Sequence, residues 1–304
     1  MVIGGLGADA LLAAALITRQ VAVTFDDLPV SHFHVSAAQQ QTVTPKLLRA
    51  IKAAGVPAIG FVNEGDLAAD PKQVQLLEQW LDAGLELGNH TYSHFDLHHI
   101  DVAKFERDIA EGERVTRSLL KKRGRELRWF RHPFLHTGRS LETRTRVETF
   151  LRKRGVRVAP VTLDNSEWIF SRAYDNAINQ GDEHLKRRLG REYLAYMDRK
   201  LAYFEQQSQS LFGRNIPHVL LLHANSLNAD WFDELAASMK QRGYGFIPIE
   251  RALADPAYRS PDTYTGASGL TWLHRWALTA KKPIVPNEPR VPQWVLDAAG
   301  MDSE

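Results

Sequence analysis

The sequence predicts an α/β fold, a barrel-like sheet of about seven parallel strands with helices on its outside. Three observations carry this. Short apolar runs alternate with longer amphipathic stretches along most of the chain, the signature of βα repeats whose strands pair in parallel. The alternation recurs about seven times, more than a small open sheet needs. Ionisable residues stand just past the ends of the apolar runs: Asp26, Asp27, His90, Arg131, Asp164 and His223. In an α/β barrel that edge is where loops converge on an active site.

The elements follow in order. Residues 21–25, Val-Ala-Val-Thr-Phe, read as a buried strand. A helix is expected over 45–54, with Thr44 as its N-cap and Gly55 as its stop. Residues 57–62 form a strand. Asp70-Pro71 opens a helix that runs to about Ala83 and stops at Gly84. A short strand over 85–88 delivers His90, and one long helix is expected over 101–123. Residues 127–130 form a strand ending in Arg131-His132-Pro133-Phe134. Ser140 caps a helix to Arg154, and 156–163 is a strand ending at Asp164. A long polar-faced helix covers about 182–212. Residues 218–222 form an apolar strand ending at His223; a helix over 230–242 and a last strand over 245–249 complete the pattern. After about Asp255 the chain changes character. It holds late prolines with Trp272, Trp276 and Trp294, and reads as a loop-rich extension packed on the barrel of residues 21–254.

The chain of 304 residues has 44% hydrophobic and 24% charged residues and a formal charge of +2. It is long enough to bury a large core without disulfides. The small charge and the absence of basic runs argue against nucleic-acid binding. There is no cysteine, so thiol nucleophiles, thiol ligands and disulfides are excluded, and any metal must sit on His, Asp or Glu. The run Leu11-Leu12-Ala13-Ala14-Ala15-Leu16-Ile17 is like the apolar part of an export signal, but the first basic residue is Arg19. It is too short for a transmembrane helix. Two readings of residues 1–20 stand: a signal remnant, with a periplasmic or secreted location, or a soluble N-terminal helix, with a cytoplasmic one. The first is the expectation.

His90 and His94 have the spacing of two metal ligands on one helical turn. With twelve histidines in the chain, a chance pair is a fair competing reading. Thr91, not Glu, follows His90, so a general base must come from elsewhere. Asp26 and Asp27 supply carboxylates. One of an adjacent pair can ligate a cation, which offsets their repulsion, while the other takes a proton from activated water. The plainer reading is a turn before Pro29, yet these residues emerge from an apolar strand. Arg131 can orient a carboxylate base or form a structural ion pair. Phe134, after a proline, can aim its N–H at an oxyanion. His223 is a core histidine or a catalytic acid, and Asp164 at another strand end favours the acid. His32, His34, His98, His99, His136, His184 and His218 read as surface or loop residues.

With these residues assembled, the chain resembles the polysaccharide deacetylases of the NodB-homology type, carbohydrate esterase family 4. The resemblance rests on Thr24-Phe25-Asp26-Asp27, His90-Thr91-Tyr92-Ser93-His94, Arg131-His132-Pro133-Phe134, Asp164 with Trp168, and Leu221-Leu222-His223, in that order. It implies a distorted, NodB-like (β/α) barrel and a hydrolase of carbohydrate metabolism. It implies a divalent metal, zinc first, with cobalt, manganese or nickel also accepted by such ligands. The ligands would be Asp27, His90 and His94, the base Asp26 and the acid His223. Arg131 would orient Asp26, Asp164 would tune His223, Leu221 would hold the acetyl methyl, and Trp168 and Phe134 would line the site. Two departures stand out: Leu28 replaces a usual glycine before Pro29, and Asp164 and Trp168 lie further apart than usual. The implied reaction is removal of N-acetyl, or O-acetyl, groups from a polysaccharide or amino sugar. The alternatives are an amide or formamide hydrolase on a non-polymeric substrate and a catalytically silent carbohydrate-binding member.

Overall fold

The computed structural model describes residues 19–31, 36–67 and 71–304. The apolar run at 11–17, His32, His34 and Asp70 lie outside the described residues. Among the described residues, seven strands form one sheet: β1 (Arg19–Leu28), β2 (Ile59–Val62), β3 (Glu86–Asn89), β4 (Trp129–Phe130), β5 (Arg157–Val158), β6 (His218–His223) and β7 (Tyr244–Phe246). Their order is β5-β4-β3-β2-β1-β6, with β7 on β1, and every pairing is parallel. The expected α/β class and strand number are therefore found.

The sheet closes through one segment. The amide of Ala159 donates to Phe130 O at 2.7 Å, while the amides of Thr162 and Leu163 both donate to Val219 O at 3.0 Å. Leu221 N returns a bond to Leu163 O at 3.1 Å. The chain after β5 thus leaves β4 and joins β6. A regular strand was expected over 156–163; two residues are regular instead. Pro160 lacks an N–H for a ladder, and the segment changes partner midway.

Closure divides the core in two. Side chains alternate along a strand, so Val21, Val23 and Phe25 of β1 pack outward among the helices. Ala22 faces inward with Ile59, Phe61, Trp129, Ala159 and Val219. Thr24 and Asp26 continue that inward row towards the C-terminal rim. Both faces of β1 are buried, which is why it reads as an unbroken apolar run.

Several helices differ from expectation. The first covers Ala37–Ala54, with Pro45 inside it and a capping box at Ser36 in place of a Thr44 cap. The single helix expected over 101–123 is two, Val102–Glu111 and Arg114–Lys121. The second has a cap from far away in sequence: the Glu64 carboxylate accepts from Val115 N (2.9 Å) and Thr116 N (2.6 Å). A helix over Glu167–Gln180 was not anticipated. The helices at Pro71–Asp82, Leu141–Lys153 and Glu183–Phe212 match their expected spans closely. Helix Ser226–Gln241 starts earlier than expected, capped by Asn225.

The residues after Asp255 contain a 3-10 turn, Pro256–Arg259, and two short α-helices, Trp272–Thr279 and Gln293–Ala299. Trp272 N donates to Val161 O at 2.8 Å, beside the closing segment. Ala298 O accepts from Asn176 Nδ2 at 3.0 Å. No helix among the described residues is long and apolar enough to cross a membrane.

Candidate active site

Asp26 and Asp27 lie at a fault in β1. The register against β2 shifts between Phe25 and Leu28, and Asp27 has φ 60°, a left-handed conformation uncommon outside glycine. In a regular strand two neighbours point to opposite faces. The fault re-aims one of them, and both carboxylates line one cleft. This is the local device that makes an adjacent carboxylate pair useful.

The histidines arrive on a loop, not on the expected helical turn. Residues 90–94 have no helical hydrogen bonding, and Thr91 and His94 have φ 69° and 52°. Such a backbone persists only where the surroundings over-determine it, and here they do. Asn63 Nδ2 donates to His90 O, Asn89 Oδ1 accepts from Thr91 N, and Thr91 Oγ1 accepts from His94 N. Gly65 N donates to Tyr92 O, and Tyr92 N to Asp108 O. Gly112 lies so near that a Cβ there would meet the Thr91 carbonyl carbon at 2.3 Å.

The loop brings His90 Nε2 to 3.5 Å and His94 Nε2 to 3.6 Å from Asp27 Oδ1. A tetrahedral ion with bonds of about 2.1 Å sets its ligands roughly 3.4 Å apart. Among the described residues, Asp27 Oδ1 is buried with no hydrogen-bond partner. His90 Nδ1 stands 2.9 Å from Arg131 O; a carbonyl only accepts, so Nδ1 carries the proton and Nε2 is bare. Burial pushes His90 down to about 4, which keeps it neutral. Burial raises Asp27, but the imidazoles of His223, His94 and His90 outweigh it and hold the carboxyl below its ordinary value. The three residues fit a divalent metal by donor set, spacing and an orphaned oxygen.

Asp26 Oδ2 is 3.8 Å from Arg131 Nη1 and 3.9 Å from His90 Nε2. Arg131 is wholly buried; its Nη2 donates to Thr24 Oγ1 at 2.9 Å, and its guanidinium lies 4.7 Å from the Phe61 ring centre. Asp26 Oδ1 has no hydrogen-bond partner among the described residues.

His223, at the end of β6, departs from expectation in its partner. Asp164 was expected to tune it. Instead His223 Nδ1 bonds Glu167 Oε2 at 2.8 Å, while Asp164 Oδ1 accepts from Asn165 N. Burial lowers His223, but the Glu167 carboxylate more than reverses this and raises it to about 9. Glu167 is fully buried, and its other oxygen accepts from Asn225 Nδ2 and Asn228 Nδ2. Asp164 stays on the cleft wall, where burial raises it to about 6 despite the opposing pull of Lys200. Sequence reasoning missed Glu167; its signal was a lone carboxylate in the largely apolar stretch Glu167-Trp168-Ile169-Phe170.

The cleft holds about 360 Å³ and is lined by Asp26, Asp27, His90, His94, Phe134, Asp164, Trp168, Leu221 and His223. Of the predicted site residues, Arg131 alone stands behind the lining. Phe134, at φ 56° and 54% exposed, sets its ring 4.6 Å from that of His94. Gly269, from the C-terminal extension, completes the rim.

A model of the polysaccharide deacetylase family matches residues 15–154. That stretch contains the first three motifs; Asp164, Trp168 and His223 lie beyond it. Among solved structures, a mutant of a carbohydrate esterase family 4 pseudoenzyme, described as having restored activity, aligns at 18% identity and TM-score 0.52, covering 78% of this chain and 68% of that one. The wild-type pseudoenzyme, from Bacillus anthracis, aligns at 16% identity and TM-score 0.52, covering 78% and 66%. A family 4 carbohydrate esterase from Streptomyces lividans, solved with acetate, aligns at 22% identity and TM-score 0.48, covering 78% and 96%. The chain thus spans about two thirds of the length of the first two, and shares their fold.

Proposed function

Taking the chain as a relative of the polysaccharide deacetylases, we propose that its cleft hydrolyses N-acetyl, or O-acetyl, groups on an acetylated carbohydrate, with a divalent metal held by Asp27, His90 and His94. The observation that carries this reading is the meeting of those three ligand atoms with a free carboxylate, Asp26, and a histidine held protonated, His223. A divalent ion so held would polarise the acetyl carbonyl and acidify a water beside it. Every further step belongs to the chain's own groups. Asp26 takes the proton from the attacking water, its carboxylate oriented by Arg131. The N–H of Phe134 faces the developing oxyanion. His223 gives its Nε2 proton to the departing nitrogen or oxygen, and Glu167 bears the charge that keeps this proton in place. The C–N bond of an amide, or the C–O bond of an ester, breaks, leaving acetate and a free amine or hydroxyl. Leu221 meets the acetyl methyl, and Trp168 with Phe134 walls the sugar.

A silent, sugar-binding role is the reading to beat, since a family 4 pseudoenzyme shares the fold. Against it stands the gathering of Asp26, Asp27, His90, His94 and His223 around one cleft. The deciding experiment measures acetate released from N-acetylated chitooligosaccharides by the zinc-loaded protein. Release is expected from the wild type, with a loss of about 10²–10⁴-fold in Asp26→Asn at unchanged zinc content. No acetate from any acetylated glycan, or full turnover by Asp26→Asn, overturns the proposal.

A further inference from the structure

A second cluster of metal-binding side chains stands beside the cleft. Asp96, His98 and His136 each offer a ligand atom, all within 4.8 Å of one another. Asp96 and His98 follow the His94 loop, and His136 follows the Phe134 turn, so the two loops that shape the cleft also shape this cluster. Asp96 is its centre. Its Oδ1 accepts from His136 Nδ1 at 2.7 Å and from His98 N at 2.8 Å, and its Oδ2 from His99 Nδ1 at 2.7 Å. His98 Nδ1 faces Ala267 O at 3.3 Å.

These bonds settle the tautomers. A carbonyl and a carboxylate both accept, so Nδ1 carries the proton on His98 and on His136, and Nε2 is left with its lone pair on each. For His98, an Nδ1–H held by a carbonyl is what metal sites use to orient an imidazole ligand; for His136, the bond to Asp96 must open before both can meet one ion. The two rings stack, with centroids 3.9 Å apart and planes 7° from parallel. Asp96 supplies the anionic charge that a cation needs, and the cluster is half-buried, so water can complete the coordination.

We propose that Asp96, His98 and His136 form a second divalent-cation site, selective for ions that accept nitrogen ligands such as zinc or cobalt. It is weaker than the first site, because a bound ion must part the stacked rings and displace the Asp96–His136 hydrogen bond. The two sites are separated by one ring: Phe134 stands 4.6 Å from His94 and 5.8 Å from His136. An ion here would fix the outer side of that ring and add positive charge to the rim of the cleft. The inference does not depend on the reaction proposed above.

The test is equilibrium dialysis of metal-stripped protein against zinc, with bound ions counted by mass spectrometry. Wild type is expected to take up two ions in resolved steps. The double variant His98→Gln, His136→Gln is expected to lose the weaker step and keep the tighter one; His94→Ala is expected to do the reverse. Asp96→Asn, which retains the turn-forming oxygen, provides a milder variant with the same expected loss. Circular dichroism confirms that each variant is folded. Saturation of the wild type at one ion, lost in His94→Ala, overturns the second site alone. Two ions in the folded double variant also overturn it, whereas no binding by the wild type overturns both sites.

Discussion

Glu167 shows how one buried carboxylate can assign a role to another residue. His223 stands near 9 because Glu167 opposes the effect of burial, against about 6.5 for a free imidazole. The folded state therefore binds this proton more tightly than the unfolded chain does. The resulting stabilisation is fully present below about pH 6.5 and is lost as pH rises through about 9. An acid catalyst needs the same proton, so activity should hold across that window and decline as pH passes about 9, where the last of this stabilisation is lost. Glu167→Gln keeps the shape and can still accept from Asn225 and Asn228, but it removes the charge. We expect the alkaline limb of kcat/KM to move to lower pH in this variant, and the His223 Cε1–H resonance to titrate correspondingly lower. An alkaline limb that stays in place would show that something other than Glu167 holds the proton.

At the scale of elements, strand ends were legible and the turns between them were not. An apolar run that stops at Asp26 or His223 announces a buried strand and its rim, because the core tolerates few charges. The left-handed residues Asp27, Thr91, His94 and Phe134 left no such trace. Their conformations are imposed by partners distant in sequence, and the spacing of His90 and His94 suited a helix equally well. The break in the helix expected over 101–123 is similar: it rests on Glu64, fifty-one residues before Val115. Glu167 was hidden because its partner His223 lies fifty-six residues away. Gly112 ties these threads together, since it lies at that helix break and lets the Thr91–Tyr92 backbone approach. Gly112→Ala is expected to displace the loop, costing about 1–3 kcal/mol of stability and about tenfold or more in zinc affinity at the first site. Thermal melts with and without zinc measure both. A variant that loses stability but binds zinc as before would mean that the loop tolerates displacement without moving His90 and His94.

For the whole molecule, the barrel and the C-terminal extension meet at the cleft. The segment that closes the sheet is also the one on which Trp272 docks. Arg275 of the same helix reaches Thr137 Oγ1 at 2.7 Å and Asp262 at 2.8 Å, clamping the extension to the loop after Phe134. Gly269 is where this packing touches the site: a Cβ there would lie 1.8 Å from Phe134 O. Gly269→Ala must therefore push the extension away from the Phe134 turn, or push that turn into the cleft. Neither movement reaches Asp26, Asp27, His90, Arg131 or His223, which are held by the barrel strands and their own partners. Because the Phe134 turn carries both the N–H assigned to the oxyanion and the ring against His94, the expected outcome is a raised KM for acetylated oligosaccharides together with a lowered kcat. Steady-state kinetics on a series of increasing chain length checks this, because a rim that walls the sugar should matter more as the substrate extends past it. If KM rose while kcat held, the Phe134 turn would be acting on the sugar alone, and its N–H would carry little of the catalysis.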